Sequence, residues 1–415
     1  MKKRTAALLS LVVLTFTSLY AAFDSDIQYP TVKSNTFEPS ALMSPRVVGM
    51  GGAGMALSGT MESRLMNPAN NSGFFGLSLP YASFTVYNLK NNIDYMKEIY
   101  EENGSISLFD AEFSLLNTVP GGERNFMSVD VGAGVNIKHL SFFSFMNADI
   151  FTFGPGDISS TFGVDLDYGF NTALSYQYDW DEGYSLSVGL GFSGLFKNIT
   201  ADDGHLNGVG VGFVSNIFEE YQNNPTDIST ALFDALLAIP ISVGEAYPVS
   251  IGTRVDFPYG FSLALALNNI NGNFRMRVLD LEGNDTGKSY EISTPMSLDL
   301  GFGWHLDAGR LWYHLFEPTL AFDIVDIIGM FEEGVFEKGV LVDHLKMGVE
   351  LNLLTVLNAR AGLDRGYFTF GIGVDIYALT VDISYGVRPY GPSREGRYLD
   401  YVKLRSTDIP RRVVS

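Results

Sequence analysis

The sequence predicts an all-β fold, an antiparallel transmembrane β-barrel. Three observations carry this. Successive short segments between Asp343 and Arg388 alternate apolar and polar residues at a period of two. The same pattern recurs through the chain from Phe74 onward. The composition is rich in hydrophobic residues (46%) and in Phe (31), Tyr (21) and Gly (44), yet the alternation disperses them.

Asp343–Arg388 shows the pattern best. Phe368, Phe370, Ile372, Val374 and Ile376 alternate with Thr369, Gly371, Gly373 and Asp375. Leu379, Val381, Ile383, Tyr385 and Val387 alternate with Thr380, Asp382, Ser384, Gly386 and Arg388. Upstream, Leu345, Met347, Val349, Leu351 and Leu353 alternate with Lys346, Gly348, Glu350 and Asn352, and Leu357, Ala359, Ala361 and Leu363 with Asn358, Arg360 and Gly362. Period two places successive side chains on opposite sheet faces. Each segment has about nine or ten residues, the length at which a tilted strand crosses a bilayer. A soluble sandwich also alternates; repetition along the whole chain and its first residues favour the barrel.

Met1–Ala22 reads as a secretory signal: Lys2, Lys3 and Arg4 precede an apolar stretch too short to span, with Ala21 and Ala22 near the expected cleavage point. The chain has no cysteine, so neither a disulfide framework nor thiol chemistry is available. Mean hydropathy is +0.11, but after residue 22 no apolar run is long enough for a spanning helix. A net charge of −20 and a pI near 4.6 argue against nucleic acid as a partner, which needs a basic footprint.

The expected organisation is residues 1–22 as signal, 23–73 as an N-terminal extension (the part that the resemblance given below makes a hatch), 74–405 as the barrel and 406–415 as a tail. Within 23–73, Gly49-Met50-Gly51-Gly52-Ala53-Gly54 permits close backbone approach. Asn67-Pro68 has the chemistry of an N-cap followed by N1, which predicts a short helical turn starting there. Strand candidates include Phe74–Tyr87, Met127–Lys138, Thr161–Tyr178, Tyr184–Phe196 and Tyr259–Asn268. The count comes to about sixteen, with Ile106–Leu116 and Gly208–Phe218 the weakest.

Pro258–Tyr259, Leu354–Thr355 and Tyr377–Ala378 are expected as tight connections. Asn88–Gly104, Glu219–Ala246, Gly272–Thr294 and Val325–Val342 are expected as long ones. Alternate strands would place the two kinds at opposite barrel ends, as in outer-membrane barrels. Asn92–Glu102 and Asp227–Ile239 carry apolar residues at helical spacing and are expected as loop helices that pack on the rim or gather apolar solute.

Chemistry-bearing motifs are sparse. G-x-G-x-x-G occurs at Gly49–Gly54 and Gly189–Gly194, but neither sits in a strand–turn–helix unit, so no dinucleotide site is expected. The five histidines include no i, i+4 pair and no H-E-x-x-H. Asp202–Asp203 and Glu332–Glu333 lie in expected loops. No catalytic constellation, cofactor or metal site is expected, and the chain does not read as an enzyme.

The block Ser44-Pro45-Arg46-Val47-Val48-Gly49-Met50-Gly51-Gly52-Ala53-Gly54, followed by Asn67-Pro68-Ala69, resembles the outer-membrane long-chain fatty acid transporter family, whose superfamily includes barrel proteins of type IX secretion. Asp343-His344-Leu345, Arg360-Ala361-Gly362 and Gly366-Tyr367-Phe368-Thr369 look like its C-terminal strands. The resemblance implies a fourteen-stranded barrel in the outer membrane of a double-membraned bacterium, with an N-terminal hatch in the lumen. It also implies uptake of hydrophobic molecules that leave sideways through a gap in the wall. The residues carried over are Gly49, Gly51, Gly52, Gly54, Asn67, Pro68 and Ala69; no ligand-contacting residue follows from it. The expected partners are outer-membrane lipid, a hydrophobic small-molecule ligand and a protein bound through the long outer loops. The alternatives are a non-transporting scaffold or secretion-associated barrel, and a general porin. The inward faces read as mostly small and polar, so a greasy solute is expected near the rim or the hatch.

Overall fold

A computed structural model of the chain describes residues 44–57, 62–70, 76–103, 124–153, 161–181, 183–202, 205–206, 209–210, 241–280, 283–306, 316–337, 339–354, 356–376, 379–389 and 398–407. The expected signal (1–22), Ile106–Leu116 and Asp227–Ile239 lie outside them.

Alternating residues produce one antiparallel sheet that closes on itself. Its strands are β1 (Gly76–Tyr87), β2 (Arg124–Ile137), β3 (Leu140–Phe153), β4 (Thr161–Asp181) and β5 (Tyr184–Asp202). Three interrupted strands follow: β6 (Ile241–Ala246 and Val249–Asp256), β7 (Phe261–Ile270 and Phe274–Leu279) and β8 (Asp285–Ile292 and Ser297–His305). The circuit ends with β9 (Phe316–Ile324), β10 (Leu345–Leu353), β11 (Leu357–Asp364), β12 (Tyr367–Ile376), β13 (Leu379–Pro389) and β14 (Tyr398–Thr407). Each pairs with its neighbours, and β14 closes on β1 through Ala82↔Ser406 to Tyr87↔Tyr401. The barrel has fourteen strands, so the count of about sixteen is corrected. Of the weak Gly208–Phe218 candidate, Val209–Gly210 pairs with the end of β4 as a rim extension rather than a wall strand.

The side-chain alternation separates lipid from lumen. Phe368, Phe370, Ile372, Ile383 and Tyr385 are exposed on the outside, with Ile372 at 58%, while Thr369, Thr380, Asp382 and Ser384 between them are buried inside. The same outer skin continues through Phe142, Leu174, Leu190, Ile251, Leu263 and Leu300. A closed sheet carrying an apolar outer band satisfies its backbone within itself and is a transmembrane barrel of the outer-membrane kind.

Tight turns join strands at one end, and the other end has a tight turn of its own at Arg365–Gly366 between β11 and β12. Lys138 and Leu354 have φ of 51° and 51° at the first end, and Pro258–Gly260 forms a single 3-10 turn. The opposite, loop end carries helix α3 (Leu89–Asn103) after β1, and α4 (Ile327–Glu333) and α5 (Val340–Asp343) between β9 and β10. The helices α1 and α2 precede the barrel and are described below. The expected helix at Asn92–Glu102 is thus present within α3.

Gly272–Thr294, expected as a long connection, is corrected. It contains the loop-end halves of β7 and β8, joined by a short hairpin. The polar Asn271-Gly272-Asn273 triplet reads as a loop but serves only to break the strand. Asn269 and Asn271 adopt left-handed φ of 58° and 59°, a conformation that Asn tolerates better than most residues. β6 breaks at Tyr247-Pro248 and β8 at Ser293-Thr294-Pro295-Met296, where proline has no N–H for the ladder. Pairing resumes on both sides (Ile270↔Val249 and Arg275↔Glu245; Asn268↔Ser297 and Phe274↔Ile292), so three adjacent strands are interrupted at one level.

Candidate functional site

The lumen holds residues 44–57 and 62–70. Helix α1 (Pro45–Gly49) starts with Pro at the first helical position, and α2 (Glu62–Met66) follows. Asn67-Pro68 follows α2 and opens one further turn, as its N-cap chemistry predicts: the Asn70 N–H donates to the Asn67 carbonyl at 3.0 Å. The Asn67 side-chain oxygen accepts the Ala69 N–H at 2.9 Å, the bond a cap makes to the second residue of its turn. Asn70 donates through Nδ2 to the carbonyls of Met55 and Ser63 (2.8 and 3.0 Å) and so joins the two halves of the segment.

The sequence-derived residues meet the wall in two places. Gly49, Gly51, Gly52 and Gly54 face β9–β12. Gly51 and Gly52 have φ of 67° and 72°, and a Cβ at Gly51 would overlap the carbonyls of Met347 and Leu363. A Cβ at Gly49 would lie 2.9 Å from Gly371 Cα. Here glycine is required for both conformation and space. Asn67, Pro68 and Ala69 face β5 and β6: Asn67 Nδ2 donates to the Thr253 carbonyl at 3.1 Å, and Pro68 packs over Gly189, Gly191 and Gly252. The second G-x-G-x-x-G match is thus part of the barrel surface that receives Pro68.

Polar contacts fix the segment. The Arg46 guanidinium donates to both Glu350 oxygens, with Nη2–Oε1 at 2.6 Å. Arg360 donates Nε to Glu350 and Nη1 to Asp382, each at 2.6 Å. Glu350 is 1% exposed, so these are desolvated, charge-assisted bonds. Asp323 Oδ2 accepts the backbone N–H of Gly54 (2.7 Å) and of Met55 (3.0 Å). Thr369 Oγ1 accepts from Gly51 N–H at 2.9 Å and donates to the Gly49 carbonyl at 3.2 Å. Asn268 on β7 donates to the Met66 carbonyl at 3.0 Å, and Ser262 to the Ala56 carbonyl at 2.9 Å. The apolar side chains Val47, Met55, Ala56 and Met66 pack on Ala264 and Ala266 of β7.

Toward the loop end the lumen changes character, away from the mostly small, polar inward faces that were expected. Along β5 the inward residues run from Ser185, Ser187, Gly189 and Gly191 to Leu195, Lys197, Ile199 and Ala201. Along β7 the apolar side reverses across the break. Leu263 and Leu265 point to lipid, whereas beyond Asn273 it is Phe274, Met276 and Val278 that are buried and Arg275 and Arg277 that point out. Tyr81, Phe143, Phe145, Leu195, Ile199, Phe274, Met276 and Ile292 form one contiguous apolar cluster, against which Leu65 of α2 packs. Sequence reasoning missed this cluster. Its signal was present: Phe274-Arg275-Met276-Arg277-Val278 alternates, with charge where lipid-facing residues would stand.

No family model and no curated protein matches this sequence. Among solved structures, the chain is similar to the toluene transporter TodX of Pseudomonas putida, at 9% identity over 88% of this chain and 96% of that one, with a TM-score of 0.42. It is also similar to the toluene transporter TbuX of Ralstonia pickettii (10% identity, 89% and 98%, TM-score 0.42). A FadL homologue of Pseudomonas aeruginosa gives 11% identity, 92% and 98%, with a TM-score of 0.40. At these scores the likeness adds nothing to the fold, which the closed ladder of fourteen paired strands establishes by itself.

Proposed function

We propose that this chain is an outer-membrane transporter of hydrophobic small molecules and that the lumenal segment is its hatch. The observation that carries the reading is a juxtaposition. The apolar cluster meets Leu65 of α2 beside the level where β6, β7 and β8 are interrupted. A solute admitted at the loop end would exchange water for the cluster, gaining the usual free energy of apolar burial. Displacing Leu65 would disturb Met66 and its bond to Asn268, next to the break at Asn269–Asn273. The break is flanked on the outside by Tyr247 and Met296, both exposed. Passage from lumen to lipid there would spare the solute a return to water.

Long-chain fatty acids are the solutes implied by the resemblance, and the compared structures are named for toluene and monoaromatic hydrocarbons. Hydrophobic small molecules are the class common to them. Uptake of radiolabelled toluene and hexadecanoate into vesicles containing the purified chain tests the reading. Saturable uptake of at least one, lost on deleting residues 43–72, is expected. Uptake no faster than in protein-free vesicles sinks the proposal, and a large steady conductance of the intact protein would mark it as a porin.

A further inference from the structure

Within the apolar cluster lies a charged group that the transport reading does not use. Lys197 stands on β5 between Leu195 and Ile199, with its side chain 3% exposed and Nζ 6.0 Å from the Phe274 ring centroid. Its ammonium is 2.6 Å from each oxygen of Asp165 and 2.9 and 3.1 Å from the two oxygens of Asp167. An ammonium has three N–H donors. Four carboxylate oxygens already surround it, so it has none to offer an incoming anion.

The strand register adds a third carboxylate. Asp167 is directly opposite Lys197 on β4–β5, while Asp149 is directly opposite Asp165 on β3–β4. Like charges facing each other across a ladder are destabilising. Asp149 accepts a hydrogen bond from Ser128. Asp165 and Asp167 therefore share one ammonium at this level, with Asp149 facing Asp165 across the ladder and Met276 and Tyr290 of β7 and β8 completing the same tier. Two other cations are already engaged nearby: Arg405 lies flat over Tyr81, with its guanidinium carbon 3.2 Å from the ring centroid, and Lys403 pairs with Asp130 at 2.7 Å.

We infer that this tier selects the polar end of the solute: it admits hydrophobes ending in an amine or a hydroxyl and disfavours those ending in a carboxylate. The inference rests on the hydrophobic-transporter reading and narrows it. A carboxylate would meet net negative charge with no free donor on Lys197, in surroundings where unpaired charge is costly. An ammonium or hydroxyl would find carboxylate acceptors.

The test is competitive binding to the detergent-purified full chain. Dodecylamine, dodecanol and dodecanoate, which share one tail, displace a fluorescent uncharged hydrophobe. The amine and the alcohol are expected to bind at least about tenfold more tightly than the carboxylate. Asp167→Asn, checked for a folded barrel by its heat-dependent gel mobility, is expected to tighten dodecanoate about tenfold and leave dodecanol unchanged. Equal or tighter binding of dodecanoate by the unaltered protein overturns the inference without touching the transporter reading, and so does an unchanged order in Asp167→Asn. Failure of all three to displace the probe overturns both.

Discussion

Arg46 of the lumenal segment and Glu350 of β10, separated by 304 residues in sequence, are joined by a two-oxygen guanidinium–carboxylate contact with Nη2–Oε1 at 2.6 Å. The bond crosses from this segment to the wall. Glu350 is also the acceptor for Arg360, which in turn holds Asp382, so the lumenal segment is tied through one network to β10, β11 and β13. Removing the carboxylate would take an acceptor from the buried Arg360 guanidinium and from the partly buried Arg46. Glu350→Ala is expected to destabilise the protein by about 3 kcal/mol and to raise its single-channel conductance. The midpoint of heat-induced mobility change and planar-bilayer recording check the two parts. A conductance no higher than that of the unaltered protein would show that this contact does not hold the hatch shut.

The Thr369 hydroxyl serves Gly51 and Gly49 at once. Thr369→Val keeps the shape and leaves the Gly51 N–H without this acceptor. The expected loss is about 1–2 kcal/mol, read as faster protease cleavage within residues 44–57 while the barrel stays intact.

A covalent lock tests whether the hatch moves. Cβ atoms at positions 68 and 191 would lie 3.4 Å apart, close to the roughly 3.5–4.5 Å of disulfides. The native chain contains no cysteine that could interfere. In Pro68→Cys/Gly191→Cys, oxidation is expected to abolish saturable uptake and dithiothreitol to restore it. Uptake that is indifferent to oxidation would mean that Asn67–Ala69 stays seated during transport.

Lipid exposure is tested on β12. Ile372 points outward from the middle of its strand, so Ile372→Arg is expected to cost about 2–4 kcal/mol in folding into vesicles, as arginine does near the bilayer midplane. Arg275→Leu, beyond the break, should change this little, because that face of β7 lies outside the apolar band. Denaturant titration in lipid vesicles separates the two positions.

The barrel was legible in the sequence wherever one face met lipid and the other met something small. β10–β13 are the clearest case, because both conditions hold along their length. The glycines of the lumenal segment were legible on a different ground: Gly51 and Gly52 adopt positive φ against a wall, and only glycine does both easily. Reading failed where a strand outgrew the bilayer. Beyond Asn273 the apolar side of β7 turns inward and its charged side outward, so a rule written for lipid-facing strands reads the segment as a loop. The partners of Arg46 and Lys197 were not legible, because long-range register decides which inward residues meet, and no local pattern encodes it.

The wall is far from level. β4 and β5 have 21 and 19 residues, whereas β10 and β11 have nine and eight, and about ten suffice to cross the membrane. One flank therefore rises from the cell surface as a parapet, and the other is a low sill bearing α4 and α5. Traffic from the surroundings would be received asymmetrically. The parapet stands beside the apolar tier on one flank, and the low sill presents Phe331 and Phe336, both highly exposed, on the other.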